Sequence, residues 1–255
     1  MCRWIAYQGE TTALERYVTE PARSLIIQSL HALEGVSTNG DGFGLGWYNQ
    51  QSEPGLYREV RPAWSDENLH HLCHHIHSHL FFAHVRSSTG TAVTRANCHP
   101  FVSDNWLFMH NGFIGNWDRL RRPVEALIPD SLYPARFGTT DSESIFLAIM
   151  GASVRRDPIS ATAATLAKLT NLVTSGRVHD DKLRFTSALS NGQDLYAFRY
   201  AVNDNANTLY YREKANGTVI VSEPLDLDRA SWTAVPENHV VIARRGVPTR
   251  VERFM

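Results

Sequence analysis

The sequence predicts an α+β fold in which helices and antiparallel strands occupy separate blocks. Apolar residues at helical spacing fall in segments that end by about residue 174. Beyond about residue 183 the texture changes to short β-rich runs. Asn216-Gly217 stands between two of those runs, and that dipeptide is the composition of a tight hairpin turn. Strands that cluster apart from helices favour antiparallel sheets over alternating βαβ units.

The elements follow in order. Pro21 opens a helical stretch over 20–34, where Ile26, Leu30 and Leu33 keep helical spacing. Residues 41–48 alternate small with apolar or aromatic groups and read as a strand whose glycines let another backbone approach. Ser65 is expected to cap a helix reaching Leu80, with Leu69, Leu72, Ile76 and Leu80 as its apolar stripe. Strands are expected at 80–86 and 104–110, and Asn116 is placed to cap a helix that starts at Trp117. Thr140-Asp-Ser-Glu143 has capping-box spacing ahead of Ile145, Phe146, Ala148 and Ile149. A further helix covers 158–174, and strands follow at 183–189, 195–201, 207–212, 218–222 and 239–243. No repeat, low-complexity tract or linker interrupts the chain, so residues 2–255 are read as a single domain.

Composition narrows the function classes. The 255 residues are 43% hydrophobic and 20% charged, enough to bury one large core. A formal net charge of -1 leaves no basic surplus for a phosphate backbone, which argues against nucleic acid as a partner. No apolar run approaches the ~20 residues of a bilayer span, and Met1-Cys2-Arg3-Trp4 does not open like a signal peptide. Neither a membrane nor export is therefore expected. Three cysteines (Cys2, Cys73, Cys98) cannot pair off completely and form no Cys-x-x-Cys motif, so a reducing, cytoplasmic location is the default.

Several residues can carry chemistry. Cys2 becomes the first residue once Met1 is removed, and its thiol and α-amine then share one residue. With ordinary pKa values of about 8.5 and about 7.7–8.0, the amine can take the thiol proton directly or through one water. Arg86 ends a strand and can grip a carboxylate bidentately. His99 sits in the turn-like Asn97-Cys-His-Pro100. In His110-Asn-Gly112, a side-chain amide and the next backbone N–H can converge on one oxygen, as an oxyanion hole requires. Asp141 lies in a first helical turn and can hold an ammonium. Taken singly, each has a structural reading too: a strand-end arginine, a turn, or a carboxylate favoured by the helix dipole.

Together and in this order, Cys2, Asp41-Gly-Phe-Gly-Leu-Gly-Trp-Tyr48, Ala83-His-Val-Arg86, Asn97-Cys-His-Pro100, His110-Asn-Gly112 and Thr139-Thr-Asp141 resemble the class II glutamine amidotransferases. The resemblance spans about residues 2–150. It is strongest to stand-alone members, which include the ergothioneine-pathway γ-glutamyl amidohydrolase and the glutathione-degrading amidotransferase. It implies a four-layer αββα sandwich of two mainly antiparallel sheets between helix layers, the N-terminal nucleophile hydrolase fold. It implies Cys2 as nucleophile with its own α-amine as base, and Asn111 with Gly112 as oxyanion hole. Arg86, helped by Thr89, would hold the substrate α-carboxylate and Asp141 the α-ammonium, with His99 a supporting residue near the pocket. The implied reaction is hydrolysis of a γ-glutamyl amide through a thioester on Cys2, and it calls for no metal and no cofactor.

Three consequences belong to that resemblance. With Met1 retained, the Cys2 nitrogen is an amide and cannot act as base. Members fused to a sugar-phosphate isomerase often carry Trp at the position of Ser87 and His at that of Gly90. Small residues here suit a γ-glutamyl leaving group larger than ammonia, whose walls are expected from loops such as 50–66 and 122–138.

Two other function classes set the alternatives. One is an ammonia-donating subunit that works only with a synthetase partner. The other is a non-catalytic metal-binding protein built on the cluster His70, His71, Cys73, His74, His75, His77 and His79. His70, His74 and His77 would share a helical stripe, yet a buried zinc site would usually bring a carboxylate or second cysteine at ligand spacing, so a solvated helix face is the better reading and no metal site is expected. A Cys98-His99 catalytic pair fails because neighbours on an extended segment point to opposite faces. The expected ligand is a small γ-glutamyl compound; homodimer and synthetase partner both stay open.

Overall fold

The computed structural model describes residues 2–34, 38–88, 90–175 and 181–255. Among these residues the strands, in chain order, are β1 (Arg3–Ala13), β2 (Phe43–Tyr48), β3 (Gly55–Glu59), β4 (His77–Val85), β5 (Phe101–Ser103), β6 (Trp106–Ile114), β7 (Leu183–Ser190), β8 (Asp194–Val202), β9 (Tyr210–Lys214), β10 (Gly217–Val221), β11 (Thr233–Ala234), β12 (His239–Arg244) and β13 (Val247–Arg253). The helices are α1 (Glu15–Val18), α2 (Leu25–Leu30), α3 (Glu67–His75), α4 (Trp117–Glu125), α5 (Asp141–Gly151) and α6 (Pro158–Ser175).

Two sheets result. One runs β11-β9-β10-β1-β4-β2-β3 and the other β13-β12-β8-β7-β6-β5. Alternation along each strand decides which layer a side chain enters. Trp4, Ala6, Phe82, Leu107, Met109, Ala188, Ala197 and Val241 meet between the sheets. Ile5, Tyr7, Phe81 and Ala83, one residue out of phase, pack with Leu25 of α2 and Leu69 of α3. Phe108, Phe185 and Phe198 pack with Leu120, Ile145 and Leu166 of α4, α5 and α6. The order helix, sheet, sheet, helix is the four-layer αββα sandwich that the motif order implied.

Several elements differ from the sequence reading. Ser65 closes a short 3-10 turn, and Asp66 caps α3 instead, its carboxylate accepting from Leu69 N at 3.1 Å. That helix stops at His75, and Leu80 lies in β4 with its side chain between the sheets. The stripe was ambiguous because Ile76 ends the helix in extended backbone and the strand resumes an apolar pattern at once. Ser24, not Pro21, begins α2. Asn116 precedes α4 in the left-handed region (φ 52°) and caps nothing with its side chain, which donates to Asp181 instead. Thr140 does cap α5 through Glu143 N at 3.2 Å, whereas the Glu143 carboxylate turns to Phe137 N and Gly138 N. The glycines of β2 behave as expected: a Cβ on Gly44 would strike the His99 carbonyl, and one on Gly46 would strike Pro100 and Leu107.

The strand that sets the site is β1. It lies between β10 and β4, with Arg3 opposite Val85. Arg3 and Glu223 are each 1% exposed and form an ion pair at 3.1 Å. The same carboxylate takes Arg23 at 2.9 Å and backbone N–H groups of Leu33 and Glu34. Removing one partner of a buried pair leaves the other charge to bear its desolvation cost, typically about 3–5 kcal/mol. Glu223→Ala is therefore expected to lower unfolding free energy in urea by about that amount, and Glu223→Gln by less because the amide oxygen still accepts.

Candidate active site

The start of β1, the end of β4, the end of β6 and the first turn of α5 meet at one end of the sandwich. A cleft of about 420 Å³ opens there, and its lining includes Cys2, Arg86, His99, Gly112 and Asp141. Asn111, buried at 2% exposure, stands just behind it. The structure thus brings together the sequence-predicted residues that it describes. Thr89 and Met1 lie outside the described residues.

Cys2 is half-buried immediately before β1. Its Sγ lies 3.4 Å from the donating Ser87 N–H and 3.6 Å from the Ser87 carbonyl. Burial pushes the thiol pKa up; the Ser87 N–H and the charges of Arg86 and Arg3 work in the opposite direction. A thiol held upward needs a base close to it before it can attack. The Cys2 carbonyl is fixed from two sides, by Arg3 Nη1 at 2.9 Å and by Asn111 Nδ2 at 2.9 Å.

Asn111 and Gly112 lie on β6, opposite Thr186 and Phe185 of β7. One N–H of the Asn111 amide is used on Cys2, which leaves the other for a ligand oxygen. Gly112 must be glycine: a Cβ there would strike the Arg184 carbonyl and the His110 ring.

Arg86 is a buried cation, 3% exposed. Its guanidinium donates to neutral oxygens: Thr91 Oγ1 at 2.6 Å, Ser88 Oγ at 3.3 Å, and the carbonyls of Ala92 and Asp41 at 3.3 and 3.4 Å. The Asp41 carboxylate goes to Ser88 N at 2.7 Å. Across the cleft, Asp141 accepts from Ile114 N at 2.8 Å and Ser142 N at 2.7 Å. Among the described residues neither Arg86 nor Asp141 has an ion-pair partner. A buried charge without a counter-charge is costly, and here one cation and one anion face the same space.

Three buried histidines stand behind this pair. His99 stacks on His84 with ring centroids 4.3 Å apart, and neither ring nitrogen of either residue has a hydrogen-bond partner among the described residues. His110 bonds Ser142 Oγ at 2.8 Å and the Arg184 carbonyl at 3.1 Å. Burial holds all three below the ordinary imidazole range, His84 at about 3. Opposing this at His110 are the Asp141 charge and the Arg184 carbonyl; at His99 the neighbouring His84, His110 and Arg86 add to the depression. His99 lines the cleft and packs against His84 and Phe101.

The wall of the cleft comes from other loops than expected. Ser87, Ser88 and Thr91 form one side, and Phe113, Asn116 and Trp117 the other; none of its lining residues falls in 50–66 or 122–138. Thr91 and Ser142 also line the cleft and were not singled out from the sequence, because backbone or hydroxyl contacts leave no sequence signature of their own. Cys98 points elsewhere, its thiol on the Glu59 and Thr94 carbonyls. On α3, His74 pairs with Glu15 at 2.7 Å, and among the described residues no group of three or more His, Cys, Asp or Glu is arranged to hold a metal.

The depressed histidines set an acid limit. Unfolded, each imidazole takes up a proton near pH 6.5; folded, His84 does so only near pH 3. Its contribution to stability is complete above pH 6.5 and is lost as pH falls toward 3, at about 1.4 kcal/mol per pH unit. The unfolding free energy measured in urea is expected to drop steeply below pH 6, and His84→Phe to flatten that drop by about one proton's worth of slope.

The sequence and the fold both resemble known proteins. The protein named Probable glutamine amidotransferase DUG3 of Saccharomyces cerevisiae is 29% identical over 293 residues, covering 96% of this chain and 82% of that one. The gamma-glutamyl-hercynylcysteine sulfoxide hydrolase of Mycobacterium tuberculosis is 29% identical over 255 residues, covering 97% and 95%. The solved structure of a glutamine aminotransferase class-II domain protein from Silicibacter pomeroyi superposes with a TM-score of 0.78 at 32% identity, covering 99% of both chains. Residues 20–212 match the profile of the family described as glutamine amidotransferases class-II. The chain belongs to the class II glutamine amidotransferases.

Proposed function

We propose that this protein hydrolyses a γ-glutamyl amide through a thioester on Cys2, releasing glutamate and an amine. The observation that carries the reading is the pair of unpartnered charges, Arg86 and Asp141, in one cleft with a thiol. A cation and an anion so placed complement the carboxylate and ammonium of an α-amino acid head. With the head held there, the γ-carboxamide reaches toward Cys2.

The Cys2 α-amine, free once Met1 is removed, takes the thiol proton. The thiolate attacks the γ-carbon, and the carbonyl oxygen becomes an oxyanion that accepts from the Asn111 amide and the Gly112 N–H. The protonated amine gives its proton to the departing nitrogen as the C–N bond breaks. Water then adds to the thioester, and glutamate leaves as the thiol is restored. None of these steps needs a metal or cofactor.

The leaving group is an amine larger than ammonia. A cleft of about 420 Å³ falls in the roughly 300–1,000 Å³ range of ligand pockets, more than one amino acid occupies. The small side chains of Ser87 and Ser88 and the aromatic rings of Phe113 and Trp117 border that space. The hydrolase relative from Mycobacterium tuberculosis is named for a γ-glutamyl conjugate of this kind. Residues 2–255 act as one domain in this reading, because the cleft joins residue 2 to the loops after β4 and β6, and Val241 near the far end packs on the same inter-sheet core as Trp4. Among the described residues no helix is long and apolar enough to cross a membrane, and the unpaired cysteines fit a cytoplasmic enzyme.

The test is a glutamate-release assay, with intact mass to verify loss of Met1, on glutamine, glutathione and γ-glutamyl amides of larger amines. Turnover is expected to favour the larger amides and to vanish in Cys2→Ala. Asn111→Ala should lower kcat about 100- to 1000-fold, the usual cost of one oxyanion donor. Arg86→Gln and Asp141→Asn should act mainly on KM. Absence of release from every substrate by processed protein would sink the reading.

A further inference from the structure

Asn111 can serve as an oxyanion donor only if its amide is turned the right way round. A side-chain amide presents an oxygen on one side and an NH₂ on the other, and a half-turn about χ2 exchanges them. The structure contains a device that removes this freedom.

Asn207 lies in the segment between β8 and β9 and is 5% exposed. Its Nδ2 donates to the Asn111 backbone carbonyl at 2.9 Å and to Asn111 Oδ1 at 3.1 Å. A backbone carbonyl can only accept, so the Asn207 NH₂ must face Asn111. Its second hydrogen then makes Oδ1 the inner atom of the Asn111 amide and sends Nδ2 outward, to the Cys2 carbonyl and the cleft. In the flipped state two NH₂ groups would confront each other, and Oδ1 would face the Cys2 carbonyl oxygen.

Asn207 is itself immobilised. Its backbone carbonyl accepts from Arg199 Nε at 2.9 Å and Thr186 Oγ1 at 3.2 Å. On its Oδ1 side stands Arg184 Nη1 at 3.5 Å, on a guanidinium bound by both oxygens of Asp204 at 2.7 and 2.8 Å.

We propose that Asn207 is a positioning residue for the reaction: it locks the amide of Asn111 with Nδ2 toward the reacting carbonyl, so that the oxyanion hole exists before substrate arrives. This rests on the proposed role of Asn111 and goes beyond it. Preorganised donors stabilise a developing charge because no reorganisation is needed as it forms. Without Asn207 only the Cys2 carbonyl opposes the flip, and a larger part of the population offers an oxygen where the transition state needs a donor. The loss falls on kcat, since the α-amino acid head is held by other residues.

Asn207→Ala, made in the full chain with Met1 removed, tests this on the best γ-glutamyl amide. The expected result is a kcat lower by about 10- to 100-fold, with KM changed less than threefold and the thermal midpoint showing a folded protein. A γ-glutamyl aldehyde, which adds the thiol to form a tetrahedral adduct, should bind more weakly in the same proportion as kcat. Asn207→Asp supplies a second reading that does not need the alanine variant to fold. A carboxylate there offers only acceptors to Asn111, and with an ordinary pKa of about 3.9 and Arg184 beside it it stays ionised, so the variant's kcat should lie at least about 10-fold below wild type at every pH from 5.5 to 8. A folded Asn207→Ala or Asn207→Asp with wild-type kcat overturns the proposal and leaves the parent reading intact. Wild-type protein without turnover overturns both.

Discussion

Everything at the cleft depends on a charge buried at the first residue of a central strand. Arg3 has almost no contact with solvent, and Glu223, equally buried, is the carboxylate beside it. Such a pair tolerates little displacement, because each ion has given up its hydration for the other. One arm of the Arg3 guanidinium reaches back to the Cys2 carbonyl. A chain terminus is ordinarily the least ordered part of a domain; here the residue that carries the thiol is tied down by an ion pair to a segment more than two hundred residues away.

Polarity in the cleft is divided by burial. Burial holds the imidazoles of His84, His99 and His110 below their ordinary range, and among the described residues the charged side chains lining the cleft are Arg86 and Asp141. The thiol, pushed toward its protonated form by the same burial, is quiet until a base acts on it. Selective recognition and restrained reactivity thus have a common origin in low local polarity.

The parts of this arrangement that were legible in the sequence are those fixed by local chemistry. Thr140 three residues before Glu143 announced α5, Asn216-Gly217 the β9–β10 hairpin, and the glycines of β2 a close backbone approach. The order of Cys2, Arg86, Asn111 and Asp141 was readable, and all four stand at one end of the sandwich. What could not be read depends on long-range partners. β1 has apolar residues on both faces because it is covered by helices on one side and a sheet on the other, so it lacks the alternation that marks a half-exposed strand. Leu80 kept helical spacing with Leu69 and Leu72 yet belongs to a strand, since Ile76 already has extended backbone. The sequence places Asn207 at the start of a strand over 207–212, but it lies in the loop before β9, and its importance arises only from which strand end it meets.

The cleft also joins two sheets that share no backbone hydrogen bonds. Cys2 leads into one sheet and Asn111 belongs to the other, and their separation is maintained by the layer of Trp4, Ala6, Leu107 and Met109 between them. Catalytic constellations lose rate when misplaced by about half an ångström. The thickness of that apolar layer is therefore a gauge of catalytic alignment: a side chain slightly too large deep in the interior would spread the sheets and detune the thiol from its amide, with every residue of the cleft unchanged.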